Sequence, residues 1–189
     1  MAVQGDTKKR IMDIAEELLL EGGFGGFSYK HIASDLGIKN AAVHYHYPAK
    51  SDLGLAIIQR TRRRFRRWCD ETDKGGNNPS EKLDAFFGIF KPFVDSGKVC
   101  FGGALAVGFK TLPVEMQSEA RAMAGDFLLW LENLLDDGRK EGFFTFPGNP
   151  KDQAVVVLAS IQGVLQIARA ADQSCFDVVK RQIMKSIKA

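Results

Sequence analysis

Cysteine is scarce in this chain of 189 residues: Cys69, Cys100 and Cys175 lie far apart, and no Cys-x-x-Cys pair occurs. So odd and scattered a set argues against a disulfide framework and offers no zinc-ligand spacing. Histidine is confined to one stretch, as His31, His44 and His46. No Ser-His-Asp, Cys-His or paired-carboxylate arrangement is suggested, so neither an enzyme nor a cofactor is expected. His44-x-His46 makes a poor metal pair, because residues two apart on a helix point to nearly opposite sides, and no metal is expected. Apolar runs fall short of the roughly 18–20 residues that cross a bilayer. The opening residues lack the basic-then-apolar order of a secretory signal, so a cytoplasmic protein without a membrane partner is expected. Alternating strand patterns and internal repeats are missing too, which leaves an all-α fold.

What is present is unevenly placed. The net charge of +3 is unremarkable for a globular protein. Yet Phe24–Trp68 holds nine basic residues against two acidic ones, a local +7. A basic surface confined to one segment is the footprint of a nucleic-acid-binding module, although a solvated charged face gives the same count.

Helical periodicity fills most of the chain. Ile11, Ile14, Ala15, Leu18 and Leu19 form one apolar stripe, predicting a helix over 7–21 that Gly22-Gly23 stops. Ser28 is placed to cap a short helix over 29–36; Gly37 ends it, and a second short helix runs from Asn40 to Tyr45. A longer helix then opens at Lys50 or Ser51 and passes through Arg60-Thr-Arg-Arg-Arg-Phe-Arg-Arg67. Further helices are expected over 80–94, 103–111, 114–138, 150–171 and 174–187.

The pair around Gly37 carries the functional reading. Ala33 is small where two crossing helices must approach, Gly37 suits the sharp turn, and Ile38 and Val43 can lock the two together. That chemistry is helix-turn-helix: the second helix is pushed outward so that its residues meet base edges in the major groove. Val43 and Tyr47 read as packing residues.

Gly23-Phe24, Ser28, Ile32-Ala33, Leu36-Gly37-Ile38, His44-Tyr-His-Tyr-Pro48 and Lys50-Ser-Asp-Leu53 resemble, in order and spacing, the signature of the TetR family of bacterial repressors. The resemblance covers roughly the first 55 residues. His44, where the family more often has Tyr, and Ala41, often Gly, depart from it. It implies an N-terminal three-helix DNA-binding domain over 1–54 and a larger helical ligand-binding and dimerisation domain over 55–189. It also implies phosphate contacts from Ser28, Tyr29, Lys39, Tyr45, His46 and above all Lys50, and base contacts from Asn40, Ala41 and His44. The expected partner is double-stranded DNA bearing a palindromic operator, bound by a homodimer joined through the two C-terminal helices. Small-molecule release of a repressor is the implied mechanism, although these residues suit an activator as well.

Other features keep alternatives open. The six arginines of 60–67 point in nearly every direction, so some are expected to attract DNA at long range and others to pair with neighbours such as Asp70, Glu71 and Asp73 or with the second domain. Ala154, Val155, Val157, Leu158, Ile161 and Val164 give an apolar surface for a partner helix or for the core. Phe86, Phe90, Phe101, Phe109, Phe127 and Trp130 are candidates to line an effector pocket, or simply core. Cys100 precedes Phe101-Gly-Gly-Ala-Leu, resembling the cysteine turn of the family's electrophile- and oxidant-sensing branch. Its oxidation or alkylation is therefore an alternative release signal, and a small buried hydrophobe the plainer reading. A non-specific DNA- or RNA-binding protein is the remaining alternative; it would bind random sequences alike.

Overall fold

A computed structural model describes residues 2–188, with side chains from Asp6 onward. The helices in chain order are α1 (Ala2–Gly22), α2 (Tyr29–Leu36), α3 (Asn40–His46), α4 (Lys50–Lys74) and α5 (Pro79–Gly88), then α6 (Lys91–Ser96), α7 (Phe101–Ala106), α8 (Val114–Lys140), α9 (Pro150–Ala170) and α10 (Cys175–Ile187). Short 3-10 turns occupy Phe24–Gly26 and Phe109–Thr111. The described residues contain no strand, only an isolated bridge between Phe144 and Lys188. The fold is all-α, as the periodicity predicts.

Two expected helices are divided in the structure. The segment over 80–94 becomes α5 and α6, because Pro92 cannot donate to the carbonyl four residues back and its ring clashes there. Pro92 sits instead in the first turn of α6, where no such bond is required. The segment over 103–111 shortens to α7 and then a 3-10 turn beginning after Gly108.

Packing groups the chain into two compact units. One contains residues up to Arg63 together with Phe101–Ala122; the other contains Arg64–Cys100 together with the chain from Met123 onward. This cut differs from the expected functional division at 54/55, because α7 and the start of α8 pack with the N-terminal helices. In the first unit Ile11, Ala15 and Leu19 of α1 close on Ile32 of α2, Val43 of α3 and Leu53 and Ile57 of α4, all without solvent exposure. Gly54 lets α8 approach: a Cβ there would lie 2.6 Å from the Met116 methyl and 2.7 Å from the Phe24 ring. The second unit buries Leu83, Phe86 and Phe87 of α5 with Leu131 and Leu135 of α8, Val157 and Ile161 of α9, and Phe176 of α10.

Candidate nucleic-acid interface

Local sequence explains the shape of the first unit's exposed edge. Ser28 is extended and forms a capping box with His31, whose Nδ1 accepts the Ser28 N–H at 3.3 Å. At the other end of α2 the Ile38 N–H donates to the Ala33 carbonyl at 3.0 Å and the Gly37 N–H to the Ser34 carbonyl at 3.2 Å. These two bonds are a Schellman ending, and they place Gly37 at φ 65°, where any Cβ would be strained. Lys39 is extended again and starts α3 in a new direction.

The helix α3 is held by one side. Val43 is fully buried and Tyr47 nearly so. Lys39, Asn40, Ala41, His44 and Tyr45 face solvent, Tyr45 at 70%, and His46 is half-buried with its ring 5.2 Å from that of Tyr45. The expected base-reading residues Asn40, Ala41 and His44 thus share one outward face. His44 is steadied from below, its ring 4.6 Å from that of Tyr29 and its Nδ1 3.4 Å from the Pro48 carbonyl oxygen.

Two expected phosphate ligands are placed otherwise. Tyr29 is buried, and its hydroxyl donates to the Tyr47 carbonyl at 2.8 Å, tying the start of α2 to the end of α3. Burial, with the nearby Asp52 carboxylate adding to it, pushes this phenol up to about 12. Lys50 turns inward: its ammonium donates to the carbonyls of Phe24 and Phe27, 2.5 Å each, and lies over both rings. Burial lowers its pKa.

The arginine run divides by position. Arg60 is mostly buried and pairs with Asp13 and Glu16 of α1, also donating to the Met12 carbonyl at 3.0 Å. Arg62 reaches Glu119 of α8 at 3.1 Å, within the same unit. In the second unit Arg66 pairs with Asp126 at 3.0 Å. Glu119 and Asp126 lie beyond residue 55, so Arg62 and Arg66 pair with the larger domain, one of the two expected kinds of partner, whereas Arg60 pairs with α1. Arg63, Arg64 and Arg67 face solvent.

Of the six expected pocket residues, Phe86, Phe90, Phe127 and Trp130 come together in the second unit. There Phe65 and Trp68 join them, with Phe65 stacked 3.9 Å from Phe127 and Phe86 stacked 5.3 Å from Trp130. The flanking arginines hide Phe65 and Trp68 in the sequence, although their spacing of three is a helical signal. Phe101 and Phe109 belong to the first unit, where Phe109 lies beneath the Arg121 guanidinium at 4.9 Å. Cys100 is 2% exposed and its thiol donates to the Gln162 side-chain oxygen at 3.0 Å. Cys69 is held as a thiol, since burial, with Asp73 and Asp70 adding to it, pushes it up to about 12.

The apolar residues of α9 expected to meet a partner helix or the core divide between the two, with Val155 48% exposed. Ala154, Val157, Ile161, Val164, Leu165 and Ala168 are all buried within their own unit. A second stripe on α9 faces outward: Val156 (53%) and Ile167 (52%), with Ala159, Gly163 and Ala170 between and beyond them. Val178 of α10 is exposed as well.

Residues 11–57 match the family described as “Bacterial regulatory proteins, tetR family”. The chain is similar to the HTH-type transcriptional repressor NemR of Escherichia coli K12, at 23% identity over 82% of this chain and 79% of that protein. Among solved structures it resembles a TetR-family transcriptional regulator from Agrobacterium tumefaciens, with TM-score 0.94, 28% identity and coverage of 98% of this chain and 100% of that one. A TetR transcriptional regulator from Legionella pneumophila matches with TM-score 0.87 and 29% identity, over 96% of this chain and 97% of that one.

Proposed function

Since the chain is a member of the TetR family, a DNA-binding transcriptional regulator of the repressor type, we propose that α3 reads a palindromic operator through Asn40, Ala41 and His44. Lys39, Tyr45, His46 and Ser28 supply the surrounding phosphate contacts. The observation that carries this reading is the exposed Asn40–His44 face, set outward by the Schellman turn at Gly37 and held on the opposite side by Val43 and Tyr47. Phosphate contacts set affinity and register, whereas base contacts choose the sequence. Asn suits adenine N6 and N7, and a small Ala lets the helix lie close in the groove.

Two recognition helices must reach half-sites about 34 Å apart or a multiple of that, so the regulator works as a homodimer. The outward stripe of α9, with Val178 of α10, is the proposed contact between copies: an apolar face at helical spacing, left over after the core is filled. A regulator that must reach the chromosome acts in the cytoplasm, and this work needs no catalytic step. Release is by a small molecule whose binding parts the rings around Phe86, Phe127 and Trp130. The buried, hydrogen-bonded Cys100 thiol lends no support to release by oxidation.

Selection of bound duplexes from a random pool tests the reading. A two-fold-symmetric consensus with protected major-groove positions is the expected result. Equal competition by unrelated duplexes at physiological ionic strength overturns it.

A further inference from the structure

Lys50 is placed awkwardly for a cation, at the first position of α4, where the helix dipole is positive. A side chain that points outward there can meet a phosphate. In this structure the ammonium instead folds back under the preceding turn. It donates to the carbonyls of Phe24 and Phe27 and lies 4.6 Å and 4.3 Å from the centres of their rings. Those rings meet edge-on at 6.1 Å, so two carbonyls and two ring faces surround one charge. Phe27 is almost fully buried, and its neighbour in sequence is Ser28, the capping residue of α2. One turn into α4, Gly54 removes the Cβ that would strike the Phe24 ring. The Phe24–Phe27 turn is thus held to the first turn of α4 at two successive points.

Resting on the DNA-binding reading above, we propose that Lys50 is a positioning residue for operator binding. Its ammonium pins the Phe24–Phe27 turn to α4 and so fixes Ser28 and the start of α2 in the register that phosphate contact requires; it neutralises no phosphate itself. A direct contact would take the ammonium from both carbonyls and withdraw its charge from both rings.

The two roles differ in salt dependence. A lysine that neutralises a phosphate contributes about 0.9 to the slope of log K against log salt, and its removal takes that contribution away. The expected result for Lys50→Met is affinity about 10-fold weaker at every salt concentration, with the slope of the wild type. A second measurement needs no variant. In the wild-type protein, NMR of labelled lysine should show the Lys50 ε-methylene and ammonium signals displaced upfield by the two rings, and still displaced in the operator complex. A slope lowered by about 0.9 in Lys50→Met, or loss of the upfield displacement on operator binding, overturns the proposal. Should Lys50→Met fail to fold, the wild-type spectrum decides alone. Failure of the DNA-binding reading would look different, since the wild type would then show no preference for a selected duplex.

Discussion

Gly37 is the residue on which the recognition surface turns. Its φ of 65° lies in the left-handed region, and an added Cβ there would meet nothing within 4 Å, so the cost of a side chain is purely conformational. Gly37→Ala should destabilise the protein by about 1–2 kcal/mol in urea unfolding, and Gly37→Asn by less, because Asn tolerates this region better. Equal losses would show that contacts, not backbone strain, decide the position. Asp13 governs a second residue-scale effect. Burial raises its carboxyl, but hydrogen bonds from Lys9 and Arg60 outweigh that and hold the pKa below its ordinary value. A depressed carboxyl adds stability above its unfolded value of about 3.9, and that gain disappears as the pH falls through the folded value. The urea midpoint should therefore drop on acidification below about pH 4, and Asp13→Asn should flatten the drop. An unchanged acid limb in the variant would remove Asp13 from the account.

Element-scale behaviour follows from which face of each helix is spent on packing. On α3, Val43 faces the core while Asn40 and His44 remain outside. Asn40→Ala or His44→Ala should change which operator sequence is preferred, at about 1–3 kcal/mol for a lost base contact. Lys39→Met should weaken all duplexes alike and lower the salt slope by about 0.9. Competition assays over several salt concentrations separate the two classes, and identical behaviour would cancel the division of roles. On α9 both faces are apolar, and only one is covered by its own chain. A carboxylate at Val156 or Ile167 should turn a dimer into a monomer in sedimentation equilibrium, with little change in monomer unfolding. Dimers that persist in the Val156→Asp, Ile167→Asp double variant would place the interface elsewhere.

For the whole molecule, the question is how an effector is detected. Trp68 and Trp130 are the two tryptophans of the chain, and their rings lie 5.0 Å apart in the cluster with Phe86. Any compound that releases the operator by parting these rings should change intrinsic fluorescence with the same midpoint as release. A releasing compound that leaves the fluorescence untouched would place the effector site elsewhere. The cysteines should be slow reporters by comparison, because Cys69 is held as a thiol and Cys100 is buried and hydrogen-bonded. Both should label with thiol reagents mainly after unfolding, and Cys100→Ser should leave release unchanged.

Helix type, the glycine turn and the capping serine could be read before any coordinates, because each depends on residues within one or two turns of one another. Thus α2 was legible to its end residues; Asn40, Ala41 and His44 came from the family resemblance, and their exposure on one face was not legible. Nor were the direction of Lys50 and the burial of Tyr29, since carbonyls and rings from segments distant in sequence decide where those side chains point. For the arginines a partner in the second domain could be expected, but the individual acids Glu119 and Asp126 could not be named, for the same reason. On α9 periodicity revealed apolar faces without saying which one the chain covers itself. That choice belongs to tertiary packing, because two apolar stripes on one helix are equivalent until a neighbouring helix occupies one of them.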